Sequence, residues 1–162
     1  MYKDKFSYSS TEPFPICIFE TLNTSQMDNI IPYNLGSKIN GTLSVYGTPV
    51  IKIVLLINNQ PLPLEAAIDT GASKNHITPI MVKLLNLSST NSVKGLYPLS
   101  GLSESNLFSL DFNFIGIDNM FNEDFAELPF EFPFPIILGS NFLLKCKYFN
   151  VDILNRSFEV GL

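Results

Sequence analysis

"EAAIDTGASKNH", residues 65–76, decides how the rest of the chain is read. Counted back from its aspartate, the stretch alternates. Leu64, Ala66 and Ile68 fall on one face of an extended strand, and Glu65, Ala67 and Asp69 on the other. The strand thus delivers a carboxylate to its own end, where Thr70-Gly71 begins a tight turn. Gly71 permits a positive φ, or the close approach of another backbone. Donors between Thr70 and Ser73 can hydrogen-bond the carboxylate, which favours its ionised form, whereas burial favours the neutral one. Only 15% of the residues are charged, so an apolar strand ending on a carboxylate points to chemistry. One carboxylate cannot be acid and base in the same step, but two sharing a proton roughly 3 Å apart can. No second Asp-Thr-Gly or Asp-Ser-Gly occurs in the 162 residues. The partner carboxylate is therefore expected from a second copy of the chain, with a twofold axis setting Asp69 against its symmetry mate.

The flanks read as short strands broken by turns. "TLSVYG" (42–47) and "VIKIVLLI" (50–57) are strand-like, and "NNQP" (58–61) is a turn, so residues 50–69 form a hairpin. "HITPIMVKLLNL" (76–87) starts as a strand and ends in a helical turn. In "NLFSLDFNFIG" (106–116), Phe108, Leu110, Phe112 and Phe114 share one face of a half-buried strand. Pro129, Pro133 and Pro135 exclude a central strand where they stand. "IILGSNFLLKCKYF" (136–149) reads as a strand end, a glycine and a short helix, and "NVDILNRSFEV" (150–160) as a closing hairpin with its turn at Asn155 and Arg156. Residues 1–42 read as an N-terminal extension, loop or arm, and 43–162 as the domain proper. The fold class expected is mostly β.

Composition narrows the function. A net charge of −5 with no Lys/Arg cluster disfavours nucleic-acid binding. The longest apolar run, "IVLLI" (53–57), is too short to span a membrane, and "MYKDKFSYSS" (1–10) lacks the apolar core of a secretory signal. A cytoplasmic location is expected. Cys17 and Cys146 fit no metal or disulfide spacing and read as reduced thiols. The single histidine, His76, reads as structural or surface rather than catalytic. Asp111, Asp118 and Asp152 read as solvent-face or turn carboxylates.

Three pieces in order resemble the retropepsin-like aspartic proteases, the single-lobe dimeric relatives of pepsin. They are "AAIDTGAS" (66–73), the glycine-containing hairpin "KGLYPLSGLSES" (94–105), and "IILGSNFL" (136–143); the closing "FNVDILNRSFEV" (149–160) is similar to the terminal strands of some members. The resemblance covers roughly residues 43–160, and the Phe/Pro-rich connection at 118–135 is longer than in compact viral members. It implies a small closed β-barrel with one or two short helices and a flap hairpin. It implies a homodimeric endopeptidase with no metal and no other cofactor, acting on an extended peptide. Asp69 would be the catalytic carboxylate, and Thr70 the residue bracing the loop across the dimer. Gly71 would admit substrate backbone, and Ala72 and Ser73 would line the site. The flap would place Leu99, Ser100, Gly101 and Leu102 nearest substrate. Ile137, Leu138 and Gly139 would support the catalytic loop, with Leu138 at a side-chain pocket. The task implied is processing of a viral or retroelement polyprotein, in a host cytoplasm or a virus particle. A cellular regulatory protease, or a silent dimerisation or peptide-binding module of the same fold, are the alternatives.

Overall fold

The strand that ends on Asp69 is the second arm of a tight hairpin. Asn58 and Asn59 both take positive φ (49° and 62°), the backbone that a two-residue hairpin turn requires and asparagine tolerates. They join β2 (Pro49–Ile57) to β3 (Gln60–Ile68), paired from Ile57↔Gln60 to Val50↔Ala67. The computed structural model describes residues 30–97 and 101–162. The remaining elements are β1 (Lys38–Leu43), β4 (Asn75–Ile77), α1 (Pro79–Leu84), β5 (Asn91–Tyr97), β6 (Gly101–Phe114), β7 (Phe121–Glu127), β8 (Ile136–Leu138), α2 (Ser140–Leu143), β9 (Tyr148–Asp152) and β10 (Ser157–Gly161).

Six of these strands close on themselves. Around the ring, β2 pairs with β3, β3 with β8, β8 with β4, β4 with β7, β7 with β6, and β6 returns to β2 through Ile53↔Phe114 to Leu56↔Asp111. Closure leaves no free edge within the barrel. The period-2 reading of β6 holds: Phe108, Leu110, Phe112 and Phe114 all point into the core. There Phe112 stacks on Phe121 at 5.5 Å between ring centroids and presents its edge to Phe114 and Phe125. Strand β7 stops at Glu127, ahead of Pro129, as the prolines require.

Two additions lie outside the ring. The N-terminal half of β6 extends beyond it and pairs with β5, which has no other strand neighbour among the described residues. The other is the run β1–β10–β9, attached to β2 by Thr42↔Val50 and Leu43↔Pro49. The strand-like reading of "TLSVYG" is corrected here. Only Thr42 and Leu43 belong to a strand; Ser44 to Thr48 form a turn, closed by the Thr48 N–H on Ser44 Oγ at 3.1 Å and by Gly47 at φ 83°. The boundary read at 42/43 falls inside β1.

The described part of the extension is strapped to the barrel. Tyr33 N–H donates to the Lys145 carbonyl at 2.7 Å, Gly36 N–H to the Leu162 carbonyl at 3.1 Å, and Leu162 N–H to the Ser37 carbonyl at 2.8 Å. The Tyr33 ring lies edge-on to Phe121 at 5.0 Å. Its hydroxyl donates to Glu123, a buried carboxylate that also receives Lys145 Nζ at 2.5 and 2.7 Å. Burial, and then the Glu123 carboxylate, push the Tyr33 hydroxyl far above the ordinary phenol range, so it stays a donor. Removing only this hydroxyl, by Tyr33→Phe, should cost about 2 kcal/mol, the usual worth of a hydrogen bond to a charged group. Chemical denaturation should show a lower midpoint with an unchanged slope.

Candidate active site

Asp69 leaves β3 where that strand runs beside β8, and its N–H donates to the Leu138 carbonyl at 3.0 Å. The chain then turns back at once. Gly71 N–H donates to Asp69 Oδ1 at 2.8 Å, and Ala72 N–H to the Asp69 carbonyl at 3.2 Å. The carboxylate is half-buried. Its pKa is raised above the ordinary aspartate value by burial, opposed by hydrogen bonding from the Gly71 and Ala72 N–H groups. The raised pKa favours a carboxyl that holds a proton at mildly acidic pH, while the N–H donors fix its orientation.

The loop is bolted down from behind by the strand end and helix that follow 70 residues later. Ser140 N–H donates to the Ala72 carbonyl at 2.6 Å, Asn141 N–H to the Ser73 carbonyl at 3.2 Å, and Ser140 Oγ to the Thr70 carbonyl at 3.1 Å. The first two N–H groups of α2, which no side chain caps, are thereby satisfied by the Ala72 and Ser73 carbonyls of the Asp69 loop. Gly139 makes this contact fit. A Cβ there would lie 2.1 Å from the Lys74 carbonyl oxygen and 2.7 Å from that of Ala72. Gly139 and the Leu138 carbonyl thus lie directly against the 69–73 loop.

Asn75 and Ser140 were not singled out in the sequence, yet both hold the loop. Asn75 is fully buried, and its Oδ1 accepts the Gly139 N–H at 3.0 Å. The available signal was a polar residue inside a short strand with buried neighbours. His76 is fully buried too, its Nδ1 3.3 Å from the Ala126 carbonyl, in keeping with a structural role.

Two details are corrected. Gly71 is not among the glycines with positive φ, so of the two readings of this glycine the left-handed backbone does not apply. Leu138 does not reach a pocket beside the loop. Along β8, Ile136 and Leu138 enter the main core, while Ile137 turns the other way, into a second apolar cluster with Ala72, Tyr97 and Leu128. Thr70 is exposed, and Ala72 and Ser73 are buried. Of the flap residues, Leu99 and Ser100 lie outside the described residues. Gly101 takes φ 69° at the start of β6, and Leu102 is exposed opposite Leu96, on the face away from Tyr97. Cys17 also lies outside the described residues; the Cys146 thiol is pushed up to about 12, mainly by burial.

A cleft of about 350 Å³ lies between β1, β2 and the β6–β7 turn, lined by Lys38, Lys52, Glu65 and Ile115 among others. It includes no residue of the 69–73 loop. Among the described residues no cluster of three or more His, Cys, Asp or Glu could hold a metal ion, and no helix is long and apolar enough to cross a membrane.

No family model and no curated protein sequence matches the chain. Solved structures do. The crystal structure of a retropepsin-like aspartic protease from Rickettsia conorii superposes with a TM-score of 0.54 at 19% identity, over 76% of this chain and 89% of that one. The fold is retropepsin-like. The simian foamy virus protease in solution is similar over 58% of this chain and 90% of its own, with a TM-score of 0.41 and 15% identity. Within the retropepsin-like fold, the closed barrel, the two short helices and the loop carrying Asp69 are what the sequence led one to expect.

Proposed function

We propose that the chain is an aspartic endopeptidase whose carboxylate pair is completed by a second copy. The observation that carries this reading is a single one. Asp69 is oriented by the Gly71 N–H, kept partly dry and braced from behind by α2, yet the sequence holds no second Asp-Thr-Gly to pair with it. Such an investment suits a carboxylate that reacts, since burying one costs free energy otherwise. In the dimer one carboxylate takes a proton from water, and the water attacks the scissile carbonyl directly. The other member, which holds the shared proton as a carboxylic acid, donates it to the developing oxyanion, and the proton taken from water then passes to the leaving amine. The proton belongs to the pair rather than to either member. Thr70, exposed beside the loop, would meet its counterpart across the twofold. Substrate would bind as an extended strand beneath the β5–β6 hairpin. The biological task that fits is processing of a viral or retroelement polyprotein, in a host cytoplasm or a virus particle.

The test is concentration. Specific activity on peptide substrates should fall on dilution as the dimer dissociates, in step with the dimer fraction from analytical ultracentrifugation. A chain that is fully active as a monomer would overturn the composite site. The pH profile gives a second check. Each Asp69 is already shifted towards the protonated form, and a neighbouring carboxylate shifts the pair further. Cleavage should therefore be best at mildly acidic pH and decline as the shared proton is lost; a rate still climbing above about pH 8 would contradict the dyad.

A further inference from the structure

The second apolar cluster has an unusual member. Ala72, Leu128 and Ile137 come from the barrel and its catalytic loop, with Phe130 and Phe132 packed around them, but the largest buried side chain among them, Tyr97, comes from the overhanging hairpin. Among the described residues strand β5 pairs only with β6, so this ring is a point at which the hairpin is seated on the barrel. The phenol is 1% exposed, edge-on to His76 at 5.8 Å and to Phe130 at 6.4 Å. Its hydroxyl bonds Ser105 Oγ at 3.0 Å, on the same hairpin, a bond that would travel with the hairpin. The floor beneath the ring is the catalytic loop itself. Ala72 donates its N–H to the Asp69 carbonyl, and Ile137 precedes Leu138, whose carbonyl accepts the Asp69 N–H.

We propose that Tyr97 fills, in the unliganded chain, a side-chain pocket of the substrate site, and that a large apolar or aromatic side chain of a bound peptide replaces it. Without the phenol, Ala72, Leu128, Phe130, Phe132 and Ile137 leave an apolar hollow of about the size of a ring, one wall of which is three residues from the carboxylate. Such a hollow open to water is unfavourable. The hairpin's own tyrosine keeps it dry, and a peptide that supplies an equivalent ring loses little by exchanging places. Affinity is then reduced by the fraction of molecules in which the hollow is vacant. The identity of the ligand as a peptide rests on the protease reading; the occupancy of the pocket by Tyr97 does not.

The experiment measures binding, not cleavage. The full chain carrying Asp69→Asn is titrated with the blocked peptide acetyl-Ala-Ala-Phe-Ala-Ala-amide and with its all-alanine analogue. Adding Tyr97→Ala should tighten binding of the Phe peptide by about tenfold, as expected if the hollow is vacant in about one molecule in ten. Binding of the all-alanine peptide should not change, and Tyr97→Phe should keep the parent affinity. Equal or weaker binding of the Phe peptide by the Tyr97→Ala chain, or no binding by any form, overturns the proposal. In case Tyr97→Ala does not fold, the unaltered Tyr97 chain is labelled with 3-fluorotyrosine, and the Tyr97 resonance is assigned by its loss in Tyr97→Phe. That resonance should move to a solvent-like position as the Phe peptide saturates; an unmoved resonance overturns the proposal. A chain that passes these tests but never cleaves peptides with Asp69 intact keeps this inference and loses the protease reading. A chain that cleaves but fails them loses this inference alone.

Discussion

Asp69→Asn should lower peptide cleavage by about 10³-fold or more, because neither a proton acceptor nor a shared proton remains at the site. It should do so without unfolding the chain. Asparagine keeps an oxygen for the Gly71 N–H, the contact now made at 2.8 Å. The sign of the stability change follows from the raised pKa. Between the ordinary aspartate value and the elevated one, the folded chain binds more protons than the unfolded chain. Stability therefore falls as pH rises through that window, and stays at the lower level above it. Asparagine removes this loss, so at pH 7 the variant should melt at the same temperature as the parent or slightly higher. At pH 3, where aspartate is largely protonated in both states, the two should converge. Scanning calorimetry at both pH values, beside a cleavage assay, separates the outcomes. Cleavage at the parent rate would remove Asp69 from the chemistry, and a collapse in melting temperature would make it a structural turn residue.

Gly139→Ala should be the most damaging methyl group that can be added near the site. The new Cβ would meet backbone on two sides, the Lys74 carbonyl oxygen at 2.1 Å and carbon at 2.6 Å, and the Ala72 carbonyl oxygen at 2.7 Å. No flexible side chain is there to yield, so the loop and α2 must part. That movement breaks the Ser140–Ala72 and Asn75–Gly139 hydrogen bonds together. About 4 kcal/mol is expected, at the upper end for overpacking, and for a domain of this size that is a fall in melting temperature of about 10 °C. Because Asp69 is on the same loop, activity should fall further than the unfolded fraction explains. Gly47→Ala is the comparison. Nothing lies within 4 Å of the Cβ position there, and only the φ of 83° opposes a side chain, a cost of about 1 kcal/mol. A Gly139→Ala protein as stable as Gly47→Ala would mean that the loop and helix are not locked together.

The sequence carried the barrel strands because half-burial writes itself in alternation. Phe108 to Phe114 and Leu64 to Ile68 point where period 2 puts them, and Asn58-Asn59 is a turn because so few residues tolerate left-handed backbone. Where a stretch owes its shape to partners far along the chain, the local pattern misled. "TLSVYG" has the composition of a strand, but its end is a turn; Leu43 N–H donates to the Arg156 carbonyl there, and the Arg156 side chain bonds the Ser44 carbonyl. Within the extension, β1 pairs along its length with β10, more than a hundred residues away. The structural roles of Asn75 and Ser140 were hidden for the same reason, since each acts on a residue about 65 to 70 positions distant.

By itself, then, the sequence determined that an apolar strand ends on one carboxylate followed by Thr-Gly, and that no second such element exists to complete a pair. These are properties of neighbouring residues and of a count. Only the tertiary structure decided what surrounds that carboxylate. It set Gly139 and Ser140 behind the loop, turned Ile137 rather than Leu138 towards Ala72, and seated Tyr97 beside them. The face a three-residue strand turns to its neighbours is set by register within a closed barrel, and register is a relation between strands that no short stretch of sequence contains.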